Sequence, residues 1–166
     1  MTELSDVITL SADVLGDGER GSYLLLVNLP EEQTITVGRR NTCYFPRGCY
    51  VYVGSALNGL RARLNRHLRD DKKLHWHIDY LLQKASITSI ITCEAEGRIE
   101  CALAQALSHR FDSIPGFGSS DCRCRSHLFL DIDGMKDEAM VILDRLGLKP
   151  NLVLDSKLAV SLKATG

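Results

Sequence analysis

Two short apolar runs constrain this chain more than anything else in it: Gly21 to Asn28 (Gly-Ser-Tyr-Leu-Leu-Leu-Val-Asn) and Cys49 to Gly54 (Cys-Tyr-Val-Tyr-Val-Gly). The first is continuous and reads as a buried strand, closed by Leu29-Pro30 and the polar Glu31-Glu32-Gln33 turn. The second alternates with period two, so Tyr50 and Tyr52 share one face of a strand while Val51 and Val53 share the other. The valines read as core and the tyrosines as lining.

The remaining periodicities supply what covers such strands. Thr34 to Gly38 alternates and is expected to pair with the first strand as a hairpin, with Arg39 to Gly48 as a loop or hairpin extension. Asn58 is placed to cap a helix from about Gly59 to Arg69, where Leu60, Leu64 and Leu68 recur every four residues and Arg63 and His67 share another face. Further helices are expected from about Trp76 to Lys84, Glu100 to Arg110 and Lys136 to Leu146, with strands at Ile87 to Cys93 and His127 to Leu130. The tail beyond carries no clear pattern. The fold class is α+β, a small central mixed or antiparallel sheet of about three to five strands flanked by helices. A chain of 166 residues fits one domain. Residues 21–130 form its body, residues 1–20 an N-terminal extension, and residues 131–166 a C-terminal extension packing on the same domain.

No apolar stretch approaches the roughly 20 residues that span a bilayer, and the start has neither a basic segment nor an apolar signal core. The expectation is a cytoplasmic protein with no membrane partner. Its six cysteines are then free thiols rather than a disulfide framework. The net charge of −1 conceals an asymmetry: residues 1–19 hold five acids and no Lys or Arg, whereas residues 20–73 hold ten bases against four acids. Arg61, Arg66, Arg69, Lys72 and Lys73 in that segment are candidate contacts to nucleic-acid phosphates, with DNA the expected partner. A solvated helix face is the alternative.

The order of motifs adds a resemblance. Gly21-Ser22-Tyr23 opens one strand, Tyr52-Val53-Gly54 ends another, Arg63 and His67 follow on a basic helix, and Glu100 opens a helix after a strand. This arrangement resembles the GIY-YIG nuclease superfamily. The blocks His75-Trp76-His77-Ile78-Asp79-Tyr80 and Gly116 to His127 resemble an uncharacterised branch of it, found alone or fused to DNA-repair glycosylases. The resemblance implies metal-dependent phosphodiester hydrolysis. Tyr23 and Tyr52 would orient or deprotonate a water, Arg63 would meet phosphate oxygens, His67 would support the tyrosines or relay a proton, and Glu100 would hold Mg²⁺ or Mn²⁺. Read without the resemblance, the tyrosines are packing at a sheet edge, His67 a surface histidine and Glu100 a favourable acid at a helix N-terminus.

A second metal is suggested by residue type alone. Cys122, Cys124 and His127, with His75 or His77, would complete a tetrahedral zinc set. The alternative is a packed or mildly reactive cysteine pair. Cys43, Cys49, Cys93 and Cys101 read as small buried residues, and Trp76 as core or as a stacking platform for a base. The functional expectation is a metal-dependent endonuclease-like protein in DNA repair or processing. Its alternatives are a non-cleaving nucleic-acid-binding module and a zinc-stabilised interaction domain.

Overall fold

A computed structural model of the chain describes residues 8–16, 18–38, 41–95, 97–120, 122–131 and 135–155. The continuous apolar run becomes β1 (Gly21–Leu29), the central strand. Being buried on both faces, it needs a partner on each edge as well as cover above and below. It receives β4 (Gly48–Ala56) on one side and β5 (Ser86–Glu94) on the other, both antiparallel. The sheet is completed by β7 (Leu128–Asp131) and the two-residue β6 (Asp112–Ser113) beyond β4, and by β8 (Asn151–Asp155) beyond β5. The order is β6-β7-β4-β1-β5-β8, with every pairing antiparallel.

Two expectations about the strands need correction. The sheet has six strands, because the unpatterned tail supplies β8. And β2 (Gln33–Val37) does not pair with β1: both edges of β1 are occupied, so β2 forms a separate hairpin with β3 (Asn41–Phe45). Four of the five β2 residues are at least partly exposed, as suits a two-stranded arm with a wet face.

Period-two alternation divides the core into two layers. Tyr23, Leu25 and Val27 of β1, with Tyr50 and Tyr52 of β4, pack beneath α1 (Leu60–Leu68) and α2 (His77–Leu82), through Leu60, Leu64, Ile78 and Leu81. Leu24 and Leu26, with Val51 and Val53, pack on the opposite face against α3 (Glu100–Ser108) and α4 (Met135–Arg145), through Leu103, Leu107, Ala139 and Leu143. Each such leucine contributes about 1.5–3 kcal/mol. Tyr50 is thus core, fully buried, with its hydroxyl donating to the Pro46 carbonyl.

The start of α1 also differs from expectation. Its N-cap is Gly59 at φ 133°, with no side-chain cap, so Asn58 does not cap the helix. The Leu60 N–H instead donates to the Glu19 carbonyl at 2.8 Å, which satisfies one orphan donor of the first turn from the preceding segment. That segment is held further along α1, where Asn65 accepts from the Leu10 N–H at 2.7 Å and donates to the Leu10 carbonyl at 3.1 Å. At the other end of α1, Lys72 Nζ donates to the carbonyls of His67 (2.8 Å) and Arg69 (2.6 Å). A cation at a helix C-terminus complements its unpaired carbonyls.

Candidate metal centre and adjoining cleft

The glycines beside the motif tyrosines have a packing role. Tyr23 and Gly54 are cross-strand partners in the β1–β4 register. The Tyr23 ring lies over Gly54 so closely that a Cβ there would sit 2.7 Å from the ring Cε2, and nearer still to Cζ and the hydroxyl. At Gly21, φ is 153° and a Cβ would meet the Ala95 nitrogen at 2.9 Å and the Cys93 carbonyl more closely. Both glycines are therefore required by close approach within the sheet, whatever the site does.

Tyr23 reaches across the layer to His67, with Oη and Nε2 2.7 Å apart. Burial, and then the neighbouring Tyr52, push the Tyr23 phenol well above its ordinary value. The Arg63 guanidinium pulls the other way without offsetting them. These influences hold Tyr23 as a neutral phenol. Burial pulls His67 down to about 3, although Asp79 works in the opposite sense. It is a neutral imidazole, only 3% exposed rather than a surface residue, and its Nδ1 has no hydrogen-bond partner among the described residues.

Around this pair a cleft of about 430 Å³ is lined by Tyr23, Tyr52, Arg63, Glu100, Arg98 and His127, among others. Four of the five residues expected to converge therefore share one wall, and the fifth, His67, is bonded to Tyr23. Trp76 lies between Arg63 and Arg66, whose guanidinium carbons stand 4.3 and 4.2 Å from its ring centroid. Arg66 also forms a two-pronged ion pair with the fully buried Asp79, at 3.0 and 2.9 Å. Burial would raise the Asp79 carboxyl, but hydrogen bonds from Arg66 and from the backbone N–H groups of His75 and Trp76 outweigh it and hold the carboxyl low. Arg66 and Lys72 therefore have internal partners. Arg69 and Lys73 are exposed, and Arg61 is half-buried.

The second metal candidate is assembled differently from expectation. Cys101, Cys122, Cys124 and His127 bring their ligand atoms within 4.8 Å of one another. The fourth member is Cys101, in the first turn of α3, and neither His75 nor His77. His77 is engaged elsewhere, its Nδ1 accepting the Gly118 N–H at 2.9 Å, and the exposed His75 packs edge-on against Trp76. Cys101 is exposed, not a small buried residue; Cys122 and Cys124 are half-buried and His127 is buried. His127 is fixed by its backbone, which donates to Phe117 at 2.8 Å and accepts from Val53 of β4 at 2.9 Å. The Cys122 sulfur lies 3.5 Å from His127 Nε2. Burial and then the neighbouring Cys101 and Cys122 thiols push the Cys124 thiol up to about 12. Three sulfurs and an imidazole at this spacing form a donor set able to hold a metal ion. The sequence signal for Cys101 was only its place at a helix start, 21 positions before Cys122. Arg98, another residue of the cleft wall, had no signal at all.

Fold and site together define an α+β domain with a Cys3His cluster, able to hold a metal ion, on the border of a polar cleft. The chain belongs to the family described as Domain of unknown function DUF123, whose model matches residues 22–147. No curated protein and no solved structure matches it. The family match corrects the resemblance to the GIY-YIG superfamily, and with it the nuclease, endonuclease and DNA-repair reading, since it carries none of those attributes. The glycine–tyrosine pattern behind that resemblance has the packing explanation given above. Among the described residues no helix is long and apolar enough to cross a membrane.

Proposed function

We propose that this protein is a zinc-stabilised interaction domain. The observation that carries the reading is the meeting of Cys101, Cys122, Cys124 and His127 within 4.8 Å. Thiolate donors are soft and suit zinc, whereas Mg²⁺ and Mn²⁺ favour oxygen ligands; nothing besides the lone Glu100 carboxylate speaks for those ions. A fully occupied set of four protein ligands is the pattern of a structural rather than a catalytic zinc site. Bound there, zinc would tie the first turn of α3 to the segment leading into β7. Because His127 belongs both to the cluster and to the cleft wall, the same ion would fix the shape of the cleft.

The cleft is the surface offered to a partner. Arg63 and Arg98 stand on it with His75 and His77, which suits an occupant bearing an anionic group. A nucleic-acid strand bound without cleavage is the second reading, favoured by that concentration of basic side chains. It requires binding that weakens steeply with salt.

The test is metal analysis of the purified protein, followed by chelation. About one equivalent of zinc is expected. Removing a ligand present at a thousandfold excess over its dissociation constant costs about 4 kcal/mol, a fall in melting temperature of about 10 °C for a chain of this size. Absence of zinc, both as purified and after refolding with zinc, would remove the reading. Fluorescence anisotropy of labelled single-stranded and duplex DNA at increasing salt tests the second reading.

A further inference from the structure

The same cluster has a property that a purely structural zinc site does not need. Its members differ in access: Cys101 is exposed on the first turn of α3, Cys122 and Cys124 are half-buried, and His127 is buried. Cys101 and Cys124 also line one shared surface depression together with Arg123 and Arg125, both exposed. Cys101 and Cys124 come from separate elements, and their sulfurs lie within 4.8 Å of each other.

We propose that Cys101 and Cys124 form a thiol switch, in which oxidation by a peroxide joins them as a disulfide and discharges the metal. This rests on the zinc reading above. The Cys101 thiolate attacks one oxygen of hydrogen peroxide, breaking the O–O bond; the sulfur becomes a sulfenic acid and hydroxide leaves. The Cys124 thiolate then attacks the Cys101 sulfur, the S–S bond forms, and a second hydroxide departs. Two thiolates together lose two electrons, peroxide gains them, and two protons from solvent convert both hydroxides to water. Cys122 and His127 remain, half the donor set and too few to retain a structural zinc. Loss of the ion removes one tie on the His127 ring, which also lines the cleft.

The experiment titrates the intact zinc-loaded protein with hydrogen peroxide. Released zinc is read with a chromogenic chelator, free thiols are counted, and the disulfide is mapped by peptide mass spectrometry. The expected result is one zinc released for each disulfide formed, two of the six thiols lost, and a mapped Cys101–Cys124 bond. Dithiothreitol and added zinc should restore the starting state. Cys43→Ser, which alters a half-buried thiol of the β2–β3 arm, should release zinc at the wild-type rate. In Cys124→Ser loaded with zinc, peroxide should leave Cys101 as a sulfenic acid that dimedone traps. A zinc-loaded protein that keeps its metal while other thiols oxidise, or that forms a different disulfide, would overturn the switch and leave the zinc site standing. A protein that takes up no zinc at all would overturn the site itself.

Discussion

Replacing Gly54 by Ala tests the packing explanation of the tyrosine motif. A Cβ at this position would lie 2.7 Å from Tyr23 Cε2 and closer to the ring's outer atoms, where real Cβ contacts essentially never fall. Neither side can retreat freely. Gly54 sits in β4, held between β1 and β7, and Tyr23 is 2% exposed with its hydroxyl committed to His67. Overpacking of this kind costs about 1–3 kcal/mol. Displacing the ring also breaks the Tyr23–His67 hydrogen bond, adding about 0.5–1.5 kcal/mol. The expected total is about 1.5–4.5 kcal/mol, read from urea melts. Tyr23→Leu in the same background should recover part of the loss, giving a favourable coupling in a double-mutant cycle. A change below about 0.5 kcal/mol for Gly54→Ala, or strict additivity with Tyr23→Leu, would refute the argument that the motif glycine exists to admit the ring.

Other outcomes follow from the buried polar groups. His67 is held at about 3 by burial, against an ordinary value near 6.5, so the unfolded chain takes the proton first. Its contribution is complete above about pH 6.5 and is lost as pH falls toward 3, with a slope of about 1.4 kcal/mol per pH unit. Between pH 7 and pH 5.5 urea melts should show a loss of about 1.3 kcal/mol from this group in the wild type and a smaller loss in His67→Gln at equal metal loading; equal losses would contradict the burial account. Asp79→Asn leaves Arg66 without its buried counter-charge and should cost about 2–4 kcal/mol, less than for a fully buried pair because Arg66 is 20% exposed. A loss under about 1 kcal/mol would mean that the pair is already screened as at a surface.

The strands and helices were legible because their burial is periodic. The run around Leu24 to Val27 and the alternation of Tyr50 to Val53 fixed both core layers, and Leu60 and Leu64 fixed the buried face of α1. Pairing was less legible, since it depends on which edges remain free: nothing local to Thr34–Val37 reveals that β4 and β5 already occupy both edges of β1. The end of the chain hid β8 because an edge strand with half-exposed residues lacks clean alternation. At the site, Cys122, Cys124 and His127 were legible by residue type, but the fourth donor came from another element and looked like any cysteine on an amphipathic helix. His75 and His77 were attractive by residue type alone; the backbone hydrogen bond from Gly118 to His77 and the packing of His75 on Trp76 are tertiary facts. The ordered tyrosines and glycines misled for a related reason. A ring crossing a neighbouring strand demands a glycine opposite, so packing can write the same letters as chemistry.

Zinc K-edge X-ray absorption on the purified protein tests the central claim most directly. The Cys101–Cys122–Cys124–His127 site predicts three sulfur neighbours at about 2.3 Å and one nitrogen at about 2.0–2.1 Å. Cys101→Ser should convert one sulfur neighbour to a lighter atom or lose the metal. A shell of two sulfurs and two nitrogens would restore a histidine from the 75–77 pair in place of Cys101, and a protein without zinc, or with zinc bound by oxygen alone, would contradict the account.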